Sequence, residues 1–143
     1  MSQDAQRQYW MLPGNAENWS KALARGVWGF GSRSMHLWRR LQPGDTLFFY
    51  VTRPISGVVG LGNAGAKEEA LEPLWPNEMD AGEVLYPLRF RLHIEWQLQR
   101  GLWEESAVSI KGIPLRVLCA GTVSPDSAEA LLERINRHRL RRP

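Results

Sequence analysis

The residues best suited to chemistry lie between positions 15 and 30 of the chain. Asn18 carries an amide that can hydrogen-bond to the edge of a nucleobase, and Trp28 carries a flat ring that can stack on its face. Asn15 and Gly26 are typical of the residues that begin and end a helix. They predict a helix between them, followed by a strand that carries Trp28. The segment therefore suggests a pocket for one nucleobase.

The sequence carries few of the groups that enzyme chemistry requires. The histidines His36, His93 and His138 lie far apart, and Cys119 is the single cysteine, so no zinc-ligand spacing is present. The GxSxG element of serine hydrolases and the GxxxxGK[ST] phosphate loop are both absent. We therefore expect a protein that is not an enzyme and that uses no metal and no cofactor.

Composition favours a cytoplasmic protein with affinity for polyanions. The 143 residues carry a net charge of +3, and only Lys21, Lys67 and Lys111 among the 18 cationic residues are lysines. Arginine suits bidentate contacts to phosphate, which favours a nucleic-acid partner, although a genome rich in G and C would also enrich arginine. No apolar run reaches the roughly 18 residues that span a membrane, and the N-terminus lacks the apolar core of a signal peptide. The lone cysteine also favours the cytoplasm.

Hydrophobic patterning predicts more strands than helices. The predicted strands cover residues 7–12, 27–30, 46–51, 57–64, 86–98 and, more weakly, 108–110. The predicted helices cover residues 16–25, 34–41 and 126–138, and residues 67–82 are expected to form an irregular loop. Because strands and helices do not alternate regularly, the expected fold class is α+β, a small closed or nearly closed β-barrel flanked by helices.

Two sets of residues are expected in the core. The first is a group of tryptophans on apolar faces of the predicted elements: Trp10, Trp19, Trp38 and Trp96. The second is the apolar stripe of the last helix, which Ser124 caps and Pro125 begins: Ala130, Leu131 and Ile135.

Several motifs together resemble one known family. The segment Asn15-Ala-Glu-Asn18, followed by Gly26-Val27-Trp28, closely resembles the opening motif of YTH domains, which share the PUA-like barrel with EVE domains. Further features follow in the order of the same pattern: a Pro-Gly-Asp turn before residues 47–51, a glycine-rich strand at 57–62, Trp75, the long strand and the helix after Ser124.

The resemblance covers residues 8–136 and implies a PUA-like (EVE/YTH) small β-barrel flanked by helices. We therefore place one modified-base-binding domain over residues 1–136. Residues 137–143 are then a basic tail or the stub of a linker.

The resemblance also implies that a flipped, modified base sits in an aromatic cage. Trp28 matches the first wall, Trp75 matches the second wall, and Met79 is the candidate for the third. Asn18 matches the asparagine that bonds the ring edge of adenine. The backbone carbonyl of Gly29 matches the acceptor for the methylated amino group.

The resemblance leaves the contacts to the nucleic-acid backbone less well defined. YTH domains often carry a basic residue just before the helix, whereas residues 12–14 of this chain are uncharged. The candidate backbone contacts are therefore Arg25, Arg33 and Lys67.

In size, the chain resembles the N-terminal DNA-recognition domains of McrB-type, modification-dependent restriction systems. This likeness implies binding to methylated DNA, with N6-methyladenine ahead of modified cytosine, and a GTPase motor domain in the same full-length chain. Three alternatives stay open: a YTH-like reader of N6-methyladenine in RNA, an EVE-type reader of modified cytosine, and, from another class, a protein-interaction or small-ligand module.

Overall fold

The computed structural model describes residues 7–141 of the chain. The strands in this part are β1 (Tyr9–Gly14), β2 (Val27–Phe30), β3 (Thr46–Val51), β4 (Gly57–Glu69), β5 (Leu88–Gln97) and β6 (Gly121–Val123). The α-helices are α1 (Ala16–Arg25), α2 (Met35–Arg40), α3 (Pro76–Ala81), α4 (Trp103–Ser106) and α5 (Pro125–Arg141). Short 3₁₀ turns, Ser32–Ser34 and Arg100–Leu102, precede α2 and α4.

The strands form one six-stranded sheet in the order β2-β5-β4-β3-β1-β6. Strand β1 is parallel to β3, and every other pair in the sheet is antiparallel. Register shifts interrupt β4 on both sides, and such bulges bend a strand and increase its twist. The sheet is therefore curled, and its combination with five α-helices in residues 7–141 confirms the predicted α+β class.

Two hydrophobic clusters lie on opposite faces of the sheet. Along β3, Leu47, Phe49 and Val51 pack into one cluster, while Phe48 and Tyr50 pack into the other. This alternation follows from the two-residue period of a strand. The apolar run at residues 46–51 is therefore covered on both faces of the sheet.

The first cluster contains most of the tryptophans, and the second is covered by α5. Trp10 and Trp19 are fully buried in the first cluster, whereas Trp38 and Trp96 are only half-buried at its edge. On α5 the buried stripe is Ala128, Leu131 and Ile135. Ala130 was predicted to be buried, and this was wrong, because its side chain is exposed. Successive side chains on a helix point about 100° apart, so Ala130 faces solvent although its neighbour Leu131 is buried.

The residues typical of helix ends predicted the bounds of α1 correctly. The bounds of several other elements differ from the prediction. Strand β1 begins and ends two residues later than predicted, because its pairing with β3 continues through Gly14. Val108 forms an isolated bridge with Val58 instead of a strand. Helix α5 continues to Arg141, beyond the predicted end at residue 138, and residues 142–143 of the predicted tail lie outside the described residues.

The segment 67–82 is more ordered than predicted. Its first residues extend β4 by pairing with β5, where Lys67 faces Phe90 and Glu69 faces Leu88. Its last residues form α3, which begins with Pro76 and carries Glu78 two residues later. A proline in the first turn and an acidic residue near a helix start are favourable there, so the sequence does carry a helix signal at this point.

Candidate nucleobase site

One cavity of about 260 Å³ lies where the end of β1, the start of α1 and strand β2 meet. Asn18, Trp28, Gly29 and Trp75, four residues singled out from the sequence, all line this cavity. Tyr86 lines it as well. Residues that are far apart in the sequence therefore meet at one concave site.

Trp28 is held flat against the core on one side. Its ring stacks on Trp19, with centroids 3.9 Å apart and planes 9° apart, and Trp19 stacks in turn on Phe49 at 4.7 Å. Trp19 is anchored further, because its Nε1 donates to the carbonyl of Leu12 at 3.2 Å. With one face covered by Trp19, Trp28 has a single face left for a planar ligand.

Trp75 and Tyr86 extend the aromatic surface that Trp28 begins, and neighbouring rings meet edge to face. The centroids of Trp28 and Trp75 lie 6.0 Å apart with an interplanar angle of 73°, and those of Trp75 and Tyr86 lie 5.5 Å apart at 86°. Aromatic pairs favour such perpendicular arrangements, so the three rings stabilise one another. The cavity is therefore walled by aromatic surface from more than one direction.

Two glycines make room for these rings. A Cβ atom on Gly14 would lie 2.4 Å from Cη2 of Trp28, and a Cβ atom on Gly29 would lie 3.1 Å from Cη2 of Trp75. Any larger residue at Gly14 would have to displace the Trp28 ring. The bare backbone at these positions is thus a condition for the observed ring positions.

Two asparagines at the start of α1 have separate tasks. The side chain of Asn15 accepts a hydrogen bond from the backbone N–H of Asn18 at 2.7 Å and so caps the helix. The side-chain amide of Asn18 lines the cavity and makes no hydrogen bond within residues 7–141. Because Asn18 is only 8% exposed and its amide has no partner among these residues, the amide is available to a ligand in the cavity.

The carbonyl of Gly29 is also available to a ligand. Hydrogen-bonded and non-hydrogen-bonded pairs alternate along an antiparallel ladder. The Gly26 carbonyl accepts from the N–H of Leu92 at 2.8 Å, so counting along β2 makes the pair of Gly29 a non-hydrogen-bonded one. Its N–H and C=O consequently point away from β5, and β2 is the edge of the sheet on that side.

A buried carboxylate that the sequence analysis missed positions two of the walls. Glu78 is fully buried, and its Oε1 accepts from the backbone N–H groups of Leu74 and Trp75 at 2.7 and 3.2 Å. Its Oε2 accepts from the N–H groups of Leu85 and Tyr86, both at 2.8 Å. One side chain therefore holds the segments before and after α3 together.

Arg89 completes this support from behind the cavity. Its Nη2 lies 3.2 Å from Oε1 of Glu78 and also donates to the carbonyl of Glu72 at 2.7 Å. Its Nε donates to the carbonyl of Tyr86 at 3.0 Å, and the guanidinium lies 4.9 Å from the ring centroid of Trp75. The buried charge of Glu78 is thus balanced, as a buried carboxylate requires.

Met79 does not line the cavity. It is 63% exposed on α3, and Tyr86 takes the position expected of it. The helix explains the difference, because α3 turns Glu78 inward and leaves the next side chain in solvent. The signal for Glu78 was the Trp-Pro-x-Glu run, whereas nothing in the sequence alone marked Tyr86.

The three candidate contacts to the nucleic-acid backbone differ in whether their side chains already make hydrogen bonds within the protein. Lys67 donates to the carbonyls of Trp38 and Leu41, each at 2.8 Å, so it closes the end of α2. Burial lowers the pKa of the Lys67 ammonium, and the Asp45 carboxylate opposes this shift. Arg25 and Arg33 are exposed, and their side chains make no hydrogen bond or ion pair within residues 7–141.

Two negative findings concern the described residues only. Within residues 7–141, no cluster of three or more His, Cys, Asp or Glu side chains has an arrangement that could hold a metal ion. No helix in the same range combines the length and apolarity needed to cross a bilayer.

Solved structures with the same architecture include YTH domains. The Mmi1 YTH domain in complex with RNA superimposes with a TM-score of 0.67 at 14% identity, covering 96% of this chain and 83% of that chain. The YTH domain of the Zygosaccharomyces rouxii MRB1 protein, in complex with N6-methyladenosine RNA, gives 0.61 at 10% identity, covering 93% and 89%. A variant of the ASCH protein of Zymomonas mobilis gives 0.59 at 13% identity, covering 89% and 98%.

These likenesses show the fold, which is PUA-like as the sequence predicted. No protein-family model matches the sequence. Among curated proteins, a UPF0310 protein of Pyrococcus abyssi is 33% identical over 66 residues, which is 46% of this chain. The matched region spans 39% of that relative's length.

Proposed function

We propose that the protein is a nucleic-acid reader that captures one modified base, N6-methyladenine in preference to others, in the cavity beside Trp28. In this proposal the protein acts by binding the base and not by catalysis. The base stacks on the free face of Trp28, and its modified edge points towards Trp75 and Tyr86.

The observation that carries the proposal is the combination of an aromatic wall with two unpaired polar groups in one cavity. N6-methyladenine keeps one N–H on its exocyclic nitrogen, and the outward carbonyl of Gly29 can accept it. The amide of Asn18 can donate to a ring nitrogen on the same edge of the base. The methyl group then lies against aromatic carbon instead of water.

The size of the cavity fits a single base. Pockets for drug-sized ligands measure about 300–1,000 Å³. A volume of about 260 Å³ lies just below that range, so the cavity has room for one base. A base that stacks on Trp28 inside the cavity has left the stack of its own strand, which is base flipping.

The structural neighbours support a nucleic-acid ligand, since YTH domains of similar fold have been solved with RNA and with N6-methyladenosine RNA. We propose DNA as the polymer, on the resemblance to McrB-type recognition domains, with a GTPase motor in the same full-length chain. RNA is the second candidate. Those two RNA complexes favour it, and a single strand needs no base pair opened.

The test is a binding titration with matched, fluorescently labelled oligonucleotides. DNA duplexes and single-stranded RNAs are each prepared with and without one N6-methyladenine, and a duplex with 5-methylcytosine is added. One buried methyl contributes about 0.8 kcal/mol, so we expect at least a roughly fourfold preference for the methylated strand. Equal affinity for methylated and unmethylated strands would contradict the modified-base proposal.

Variants connect the preference to the cavity. Trp28→Ala should abolish it, and Trp96→Phe, a tryptophan change outside the cavity, should retain it. Because Trp28 also packs on Trp19, urea unfolding must show that the variant is folded, and Asn18→Ala provides a second variant without that packing. A ligand bound equally well by the wild type and Trp28→Ala, with little dependence on salt, would indicate a protein or small-ligand module instead.

A further inference from the structure

We propose that a groove next to the cavity, lined by Arg40 and Arg116, binds the sugar-phosphate backbone of the strand whose base is captured. This inference rests on the proposed function and adds the path of the strand to it. The groove has a volume of about 400 Å³ and lies between α2 and the segment that leads into β6. We call it the α2–β6 groove.

The α2–β6 groove adjoins the cavity. Ala120 lines both, so the two spaces share a wall at the start of β6. A flipped nucleotide remains attached to its neighbours, and its flanking phosphates must lie at the mouth of the pocket that holds its base. A strand that leaves the cavity past Ala120 enters this groove directly.

The charges of the groove suit a polyanion. Arg40 and Arg116 are both exposed, and no carboxylate is among the residues that line the groove. Within residues 7–141, Arg116 has no hydrogen bond or ion pair. The side chain of Arg40 makes one long hydrogen bond, 3.4 Å to Gln8, and its Cζ lies 6.0 Å from the centroid of the Trp10 ring, at the outer limit of such contacts. Both guanidinium groups can therefore turn to phosphate oxygens, which arginine binds in bidentate fashion.

Uncharged donors line the same groove. Thr122 and Ser124 contribute hydroxyl groups, and β6 is the edge strand at this end of the sheet. An edge strand has backbone N–H groups that no other strand takes. Hydroxyls and backbone N–H groups are common phosphate donors in nucleic-acid complexes.

A second groove offers a matched comparison. It is lined by Arg25 and Arg91, which are also exposed, but Glu68 and Glu72 line it too. A third arginine of its lining, Arg89, is buried and its charge is balanced by Glu78. The carboxylates of Glu68 and Glu72 therefore offset the two exposed cations and repel phosphate. Although Arg25 was a candidate from the sequence, the mixed charge makes this groove the weaker path.

The experiment compares two charge-matched double variants, Arg40→Gln with Arg116→Gln and Arg25→Gln with Arg91→Gln. Dissociation constants for methylated and unmethylated strands, as duplex DNA and as single-stranded RNA, are measured by fluorescence anisotropy over a series of salt concentrations. The logarithm of the affinity falls linearly as the logarithm of the salt concentration rises. Each lost phosphate contact makes this slope shallower by roughly 0.9 on duplex DNA and roughly 0.7 on a single strand. For the double variant Arg40→Gln with Arg116→Gln, the α2–β6 variant, we expect the slope to become shallower by about 1.4 on single-stranded RNA and by about 1.8 on duplex DNA.

The expected result leaves the methyl preference of the α2–β6 variant unchanged, because phosphate contacts do not read the base. An unchanged salt slope in that variant, or an equal loss in both double variants, overturns the inference. The proposed function fails separately, when the wild type shows no methyl preference, and the slope comparison can then still be made on the unmethylated strands. A wild type that binds none of the strands overturns both.

Discussion

Gly14 lies directly against the ring of Trp28, so closely that a Cβ atom on Gly14 would come within 2.4 Å of Cη2. The ring cannot shift towards the core, because one of its faces rests on Trp19 at a centroid distance of 3.9 Å. The position of the main aromatic wall therefore depends on the absence of one side chain in the preceding strand.

Gly14→Ala should push Trp28 out of its stack. We expect weaker binding of the methylated strand by about 5- to 150-fold, since base stacking contributes about 1–3 kcal/mol. Overpacking should also lower the free energy of unfolding by about 1–3 kcal/mol. Near-ultraviolet circular dichroism, which senses the Trp19–Trp28 pair, and anisotropy titration measure the two effects. Gly101→Ala is the control, since nothing lies within 4 Å of its added Cβ.

Asn18 and Asn15 should separate binding from stability. Asn18→Ala removes no hydrogen bond within residues 7–141, so the free energy of unfolding should stay within about 0.5 kcal/mol of the wild type. Affinity for the methylated base should fall by about 1–3 kcal/mol, because the hydrogen bond to the base edge is lost. Asn15→Ala removes the helix cap and should lower stability by about 1 kcal/mol. Equal effects of Asn18→Ala on both quantities would argue against a ligand role for its amide.

The third wall can be assigned by a pair of variants. Met79→Ala should leave the affinity for the methylated strand unchanged, because Met79 is in solvent and outside the cavity. Tyr86→Ala should weaken it, because it removes the ring that packs edge to face on Trp75. Tyr86→Phe should retain it, because the Tyr86 hydroxyl is already occupied in accepting a hydrogen bond from Nδ2 of Asn77. A loss with Met79→Ala and none with Tyr86→Ala would restore the assignment made from the sequence.

Glu78→Gln should destabilise the protein strongly. The amide puts a donor where the carboxylate accepts backbone N–H groups, and it leaves the Arg89 guanidinium buried without a charge partner. Breaking a buried ion pair in this way lowers stability by about 3–5 kcal/mol. Urea unfolding followed by tryptophan fluorescence measures the change. Glu83→Gln, an exposed acid in the same segment, is the control and should shift the midpoint little.

The sequence predicted those parts of the site that depend on local signals. Asn15 and Gly26 define α1 through their own hydrogen-bonding and backbone preferences, and so they place Asn18 and Trp28 correctly relative to each other. The backing of Trp28 by Trp19 joins a helix to a strand through the core, and no spacing in the sequence reveals it.

The wall formed by Trp75 and Tyr86 was harder to predict for a different reason. Which side chain follows Trp75 into the cavity depends on whether the intervening residues coil into a helix. The resemblance to YTH domains placed an apolar residue shortly after Trp75, and in an irregular loop Met79 could take that position. Once Pro76 and Glu78 start a helix, Met79 turns away and the chain returns to the cavity only at Tyr86.

The hydrogen bonds of Glu78 also have a thermodynamic consequence for the ligand. Because one carboxylate fixes the backbone on both sides of α3, Trp75 and Tyr86 can only shift as a unit. The entropic cost of ordering this segment arises when the chain folds, so it does not weaken the binding of the ligand. Fast capture with little rearrangement, and an affinity that falls whenever the fold loosens, are what such a preorganised receptor should display.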